Sequence, residues 1–319
     1  IIGYKAGYAN MTSGADGTIA IGYQAGYAIT SGARNTAIGY ESAKNNVTGA
    51  DGTFLGYHSG LNVLLNYNTG IGSYTLQKLG TTGGGGAGEH NTAIGALAMS
   101  GGDDTAANNT AKNNVAVGYA TLGGATKSSD GAAFTTNNSV AIGYQALTTL
   151  TSGNSNLAIG YQSSLSLTIG AANVTIGYAA GDAMTSTSST VLIGANAGSA
   201  INSIDANGTV AIGYSALANL TSGQSNTAVG YNAGASINTG AYNNLFGYQS
   251  GDAITTGNSN IAIGYQSLSV TDDGDRNIAI GTSALNANCA DDNIAIGYGS
   301  LNASTSSDNI AIGTNTMIG

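Results

Sequence analysis

The sequence has no proline and no tryptophan, a single cysteine, and very few charged side chains, which make up only 7% of its 319 residues. An average globular domain carries about 25% charged residues. Proline lacks the N–H that a strand with neighbours on both sides must donate, so its absence fits a stacked β-ladder. The one cysteine, Cys289, excludes an intramolecular disulfide.

Basic residues are also scarce, with seven lysines and arginines against sixteen acids and a formal net charge of −9. The bases are scattered singly, whereas phosphate binding needs clustered lysine and arginine, so we expect no nucleic-acid partner. No run approaches the ~20 apolar residues of a membrane-spanning helix, so we expect no membrane insertion.

Glycine, in contrast, is abundant, and it recurs within an internal repeat of the form Asn-x-Ala-Ile-Gly-Tyr-x-Ala. The segments "GNSNLAIGYQS" (153–163) and "GNSNIAIGYQS" (257–267) differ at one position. The glycine that follows the apolar residue, here called the repeat glycine, occurs eighteen times; nine of the seventeen spacings are 17 residues and five are 16 or 19. The residue after it is tyrosine in thirteen copies.

A unit of 17 residues is too short for the paired helices of helical repeats, which need about 33 residues. Glycine inside a helix costs about 1 kcal/mol relative to alanine, and Ile, Val, Thr and Tyr favour extended chain. The sequence therefore predicts an all-β parallel β-solenoid of about eighteen coils, one per copy, spanning residues 1–319 as a single repetitive domain. Both ends of the chain lie within the repeat, so we expect a window of a longer polypeptide.

Alternation along each strand predicts two faces. Ile and Tyr share one face, which can form a thin core, while Ala, Gly and Asn share the other, which permits close approach of another backbone. The pattern does not decide which face lies inside. We expect structural roles for the repeat glycines and for a stacked tyrosine column, with sugar stacking as the alternative for the tyrosines; the residues are Gly22, Gly39, Gly143, Gly160, Gly177, Gly213, Gly230, Gly264, Tyr23, Tyr40, Tyr144, Tyr161 and Tyr178. The asparagine column is either a hydrogen-bonded ladder or a set of turn residues.

Three consecutive coils between Gly72 and Gly143 are 6–8 residues longer than the usual 17, so residues 73–142 carry loop insertions. Loops of a solenoid often gather on the binding face. We expect a receptor-binding patch from exposed side chains of these loops, namely Glu89, His90, Asp103, Asp104, Lys112, Lys127 and Phe134. The competing interpretation is neutral insertion at low cost.

Catalytic and metal-binding patterns are weak. His58 and His90 are the only histidines, and neither has the spacing of a zinc site, so we expect no enzyme and no cofactor. The run "DDGD", with Asp272, Asp273 and Asp275, offers carboxylates of the kind that bind Ca²⁺, although a solvated turn is the simpler interpretation.

The segments "NTAIGYESA" (35–43), "NSVAIGYQAL" (138–147) and "NTAVGYNAG" (226–234) resemble the tandem repeats of phage tail-fibre proteins. The phrase "NSVAIG" (138–143) is also similar to the head repeat of trimeric autotransporter adhesins, a left-handed parallel β-roll. The resemblance implies a left-handed β-roll in a homotrimeric extracellular fibre, whose partners are copies of itself and a host-surface glycan or protein.

We therefore expect a structural shaft or adhesive segment, most simply of a phage tail fibre carried on the virion. The alternatives are a bacterial surface adhesin or self-assembling surface filament, and an ice-binding solenoid. Ice binding calls for a regular threonine row, which Ile, Val and Leu interrupt in this sequence.

Overall fold

The computed structural model describes residues 1–79, 88–101, 109–123, 134–287, 290–303 and 305–317. It confirms the predicted fold class: an all-β parallel solenoid with a repeat of about 17 residues. The chain forms two compact units, Ile1–Ile169 and Gly170–Gly319. In the described ranges neither unit has a helix long and apolar enough to cross a membrane.

The first unit contains eight strands, which pair in parallel with their sequence neighbours; they are β1 (Ile19–Ile21), β2 (Thr36–Ile38), β3 (Thr53–Leu55), β4 (Thr69–Ile71), β5 (Thr92–Ile94), β6 (Val115–Val117), β7 (Val140–Ile142) and β8 (Leu157–Ile159). The first copy of the repeat forms only an isolated parallel bridge, between Ile2 and Ile21. A short 3₁₀-helix covers Ser13–Ala15.

The second unit contains nine strands with the same parallel pairing; they are β9 (Val174–Ile176), β10 (Val191–Ile193), β11 (Val210–Ile212), β12 (Thr227–Val229), β13 (Asn244–Phe246), β14 (Ile261–Ile263), β15 (Ile278–Ile280), β16 (Ile294–Ile296) and β17 (Ile310–Ile312). A second 3₁₀-helix covers Ile204–Ala206.

Each strand is only three residues long and ends at the residue before the repeat glycine. Residues of the same repeat position pair across strands, as Ala262 pairs with Ala279 and Ile263 with Ile280. The strand ends there because the repeat glycine leaves the β region: Gly264 has a φ of +132°. Tyrosine therefore lies in the turn after the strand.

The inner face of the coil is the small face, an orientation that the sequence pattern left open. The strand-centre alanines, such as Ala158 and Ala262, are fully buried, while the flanking Ile side chains are half-buried or exposed and the tyrosines are exposed. The bulky part of the core comes from the looser stretch between strands, where Leu147 and Leu150 are fully buried.

Two repeat positions that meet in the core, the strand centre and the fourth residue after the repeat glycine, are complementary in side-chain volume. The fourth residue after the repeat glycine is a buried leucine in many coils whose strand centre is alanine, as with Ala262 and Leu268. Where the strand centre is instead Leu245, that fourth residue is glycine in its own coil and in the preceding one. A Cβ on Gly234 or Gly251 would lie 2.7 Å from a Leu245 methyl carbon, so the two glycines make room for this side chain.

The repeat glycine brings successive coils into direct backbone contact. A Cβ on Gly264 would lie 2.8 Å from the carbonyl carbon and oxygen of Gly281 in the next coil, a separation that real side chains do not adopt. The positive φ adds strain for any other residue. Glycine is therefore required because the backbone of the next coil stacks directly on it, and not because it lies on the small face of the strand.

Gly264→Val tests this contact. We expect a loss of at least about 3 kcal/mol of unfolding free energy, because backbone strain and a collision with Gly281 act together. The matched control in the same coil is Ile261→Val, since valine occupies that repeat position in β7 and β9. Thermal unfolding followed by circular dichroism is the measurement, and equal melting of the two variants would contradict the prediction.

The volume compensation predicts a rescue. Leu245→Ala alone should cost about 2–5 kcal/mol through the cavity it leaves. Adding Gly251→Leu should restore part of this loss, because the double variant reproduces the Ala262 and Leu268 arrangement, and Leu268 tolerates the left-handed backbone with a φ of +53°. Gly251→Leu alone should destabilise the protein. Additive losses in the double variant, measured by chemical denaturation, would show that the two positions do not share space.

Candidate functional site

The tyrosines after the repeat glycine form stacked columns on the outside of each unit. In the first unit Tyr23 and Tyr40 stack at 4.9 Å between ring centroids, and Tyr144 and Tyr161 at 5.1 Å. In the second unit the stacked rings run over four coils, with centroids 5.1–5.3 Å apart; the residues are Tyr214, Tyr231, Tyr248 and Tyr265. The rings therefore form a stacked column that lies on the surface of the chain and not in its core.

One column end in the first unit carries additional rings. The His58 imidazole stacks on Tyr57 at 4.0 Å, and Tyr74 meets Tyr57 edge-on at 5.2 Å. Both residues occupy the second position after the repeat glycine, so side chains of that position reach the tyrosine column. His58 Nε2 also lies 3.2 Å from Glu41 Oε2. These contacts give His58 a structural role that the sequence did not reveal.

The asparagine column is a buried hydrogen-bonded ladder, which decides between the two interpretations of its sequence pattern. Asn243 accepts bonds at Oδ1 from the backbone N–H of Asn260 at 3.0 Å and from its side-chain amide at 3.1 Å. Asn243 in turn donates to the Gly257 carbonyl at 2.8 Å. The ladder supplies these buried polar groups with hydrogen-bond partners in place of water, and it fixes the register of successive coils.

The structure places three residues of the predicted receptor-binding patch on neighbouring coils. Glu89 is half-buried and accepts a bond from Asn66, His90 is exposed and stacks on Tyr67 at 4.9 Å, and Lys112 is exposed. The Asn113 N–H donates to the Glu89 carbonyl, so the two coils are adjacent at this point. Asp103, Asp104 and Lys127 lie outside the described residues.

Phe134 does not join this patch, and its predicted exposure is wrong. Its side chain is buried with a relative exposure of 2%. The ring lies over Gly123, where a Cβ would be 2.6 Å from a ring carbon, and the Phe134 N–H donates to Asn109 at 2.8 Å. A glycine and an aromatic residue in one insertion thus fill the core together, a pairing that sequence spacing alone does not show.

In the acidic run, Asp272 and Asp275 bond to the neighbouring coil, and Asp273 is exposed. Asp275 accepts from the Asn258 N–H at 2.7 Å, and Asp272 accepts from Thr255. Nearby Arg276 forms a two-point ion pair with Asp292 at 2.7 and 2.8 Å, which holds the pKa of that carboxyl below its usual range. Among the described residues, no three His, Cys, Asp or Glu side chains form a group that could hold a metal ion.

Two half-buried carboxyl groups, those of Asp182 and Asp252, were not predicted from the sequence. Both occupy the fifth position after the repeat glycine, in "AAGDA" and "QSGDA". One oxygen of each is enclosed without a hydrogen-bond partner in the described structure. Burial raises the pKa of each carboxyl above its usual value. In the sequence, the doublet "GD" at this repeat position is the feature that marks these carboxyl groups.

Asp252→Asn should raise the melting temperature at pH 7. Because the pKa of Asp252 is higher in the folded chain than in the unfolded chain, stability is lost as the pH rises from the unfolded to the folded pKa. The advantage of the asparagine variant should therefore shrink on acidification and vanish below both pKa values. Thermal unfolding between acidic and neutral pH measures it. Asp273→Asn, on an exposed turn, is the control, and a parallel pH dependence in both variants would refute the assignment.

No protein-family model matches the chain, and no curated protein matches its sequence. The resemblance to phage tail-fibre and adhesin repeats therefore stays a prediction, and the site must be judged on its own geometry.

Proposed function

We propose that this chain is a structural shaft or adhesive segment of an extracellular fibre, with a phage tail fibre as the leading setting. The observation that carries the proposal is the repetition of the same contacts from coil to coil: strand pairing and glycine contact, and over runs of coils the asparagine ladder and tyrosine stacking. Each coil is stabilised by its neighbours, so such a structure can be extended without designing a new core. A repetitive β-solenoid is typical of structural proteins.

The outer face of the strands supports assembly with further copies of the chain. Ile142, Ile263 and Ile312 are exposed, and they belong to an apolar row that the strand register aligns along each unit. Exposed apolar rows of this extent mark interaction surfaces. We propose that copies of the chain cover this row in a homotrimer.

The long coils support a display role for the fibre. Glu89, His90 and Lys112 bring opposite charges and an aromatic ring to adjacent coils that differ from the regular repeat. We propose this surface as the receptor-binding patch for a host-surface glycan or protein. A bacterial surface adhesin or filament would use the same architecture, and the nature of the attached domains separates it from a phage fibre.

Light scattering at micromolar concentration tests the assembly. We expect three times the 31.2 kDa chain mass for the wild-type protein. Ile263→Asp should shift the mass towards the monomer, since a carboxylate on the apolar row opposes burial. Thr256→Asp, an exposed substitution elsewhere on the neighbouring coil, should not. Circular dichroism verifies that both variants fold, and a stable folded wild-type monomer would overturn the proposed homotrimer.

A further inference from the structure

The tyrosine column of the second unit has two gaps, and each gap corresponds to one missing tyrosine ring. The residue after the repeat glycine is Ala195 in one coil and Thr282 in another, with tyrosine in the coils before and after. Backbone bonds fix this register: Ser283 N–H donates to the Tyr265 carbonyl at 2.9 Å, and Gly299 N–H donates to the Thr282 carbonyl at 3.0 Å. The corresponding bonds at Ala195 involve Asn196 with Tyr178 and Ser215 with Ala195, both at 2.9 Å.

The rings that border these gaps are more exposed than rings within the column. Tyr231 and Tyr248, stacked on both sides, are 45% and 44% exposed. Tyr265, stacked on one side, is 50% exposed, and Tyr298, which has no ring contact in the described structure, is 58% exposed. The additional exposed area is aromatic surface beside the missing side chain.

The height of each gap suits one six-membered ring. Two coils rise by about 10 Å at the ~4.8 Å spacing of stacked strands. A ring halfway would lie about 5 Å from each tyrosine, within the range in which stacked rings attract. The existing column already uses centroid distances of 5.1–5.3 Å.

At one column end of the first unit, planar side chains contact the terminal ring. The column after Tyr57 is interrupted by Ser73, and there His58 and Tyr74 contact the Tyr57 ring from the second position after the repeat glycine. At the two gaps of the second unit, the second-position residues of the interrupted coils are Asn196 and Ser283. Neither has a ring, so the chain itself does not supply the group that stacks there.

The polar groups at the gaps specify the chemistry of a ligand. Thr282 is exposed at the floor of its gap, and neither its hydroxyl nor the amide of Asn196 forms a side-chain hydrogen bond within the described residues. Two apolar ring faces with a hydroxyl or an amide at the edge match a hexopyranose, whose C–H faces stack on tyrosine while its hydroxyls bond at the rim. The net charge of −9 favours a neutral sugar over an anionic one.

We propose that the gaps at Thr282 and Ala195 each bind one neutral hexopyranose ring of a glycan between two tyrosines. The site is separate from the patch on the long coils. Its role in recognising a host surface rests on the proposed fibre function, whereas binding of the sugar does not.

Saturation-transfer NMR tests the proposal with three probes, the methyl pyranosides of glucose, galactose and mannose. At least one should receive saturation on its ring C–H protons at about 10 mM, as expected for a millimolar dissociation constant. The double variant Ala195→Tyr/Thr282→Tyr completes the column. Its affinity for the sugar should fall by about tenfold or more, equivalent to 1.4 kcal/mol. Its melting temperature should not fall, which separates a filled gap from a misfolded chain.

Thr314→Tyr is the matched control, because it adds a tyrosine at the same repeat position beyond Tyr298 and leaves both gaps open. Its binding should equal that of the wild type. No saturation of any pyranoside, or undiminished binding in the filled variant, would overturn the proposal. Binding of p-cresol without any pyranoside would also overturn it and would identify the gaps as sites for an aromatic side chain. Light scattering of the same samples tests the homotrimer separately.

Discussion

The backbone contact between successive repeat glycines is the constraint on which the rest of the structure depends. A side chain at Gly264 would meet the carbonyl group of Gly281, so each coil must turn at the same place and with the same positive φ as its neighbour. The chain repeats other unusual conformations in consequence: Gln266 and Leu268, two and four residues after Gly264, also have positive φ. A coil that turned elsewhere would lose this contact and the register of the strands on either side.

Fixed register places each side chain beside the side chain of the same repeat position, and this favours residues that bond to copies of themselves. Asparagine bonds to asparagine in an internal ladder, and tyrosine stacks on tyrosine outside. Identical charges in neighbouring coils would repel each other. Opposite charges at equivalent positions of neighbouring coils can pair instead, as Arg34 does with Asp51 and Arg276 with Asp292. The same constraint accounts for the low fraction of charged residues.

Glycine spacing was sufficient to predict strands, coils and the tyrosine column, because these features repeat along the sequence. It did not identify the inner face: an alternation of Ala and Ile fits either orientation, and the decision comes from Leu147 and Leu150 outside the strand. Features that depend on contacts between unlike positions were also missed. Leu245 with Gly251, and Phe134 with Gly123, are complementary in volume only after folding brings distant repeat positions together. The raised pKa of the Asp252 carboxyl could not be predicted for the same reason, since its burial is a property of the folded coil.

Interruptions of the repeat have different consequences at different columns. The glycine column between stacked coils does not accommodate a side chain, since a Cβ at a position such as Gly264 would lie where the backbone of Gly281 already lies. The tyrosine column is on the surface, and strand pairing maintains the register across Ala195 and Thr282 without a stacked ring. Replacement of a tyrosine there sacrifices one stacking contact of about 0.5–1.5 kcal/mol and exposes two ring faces. In a protein whose coils are otherwise nearly alike, such positions can acquire a specific binding function while the fold stays intact.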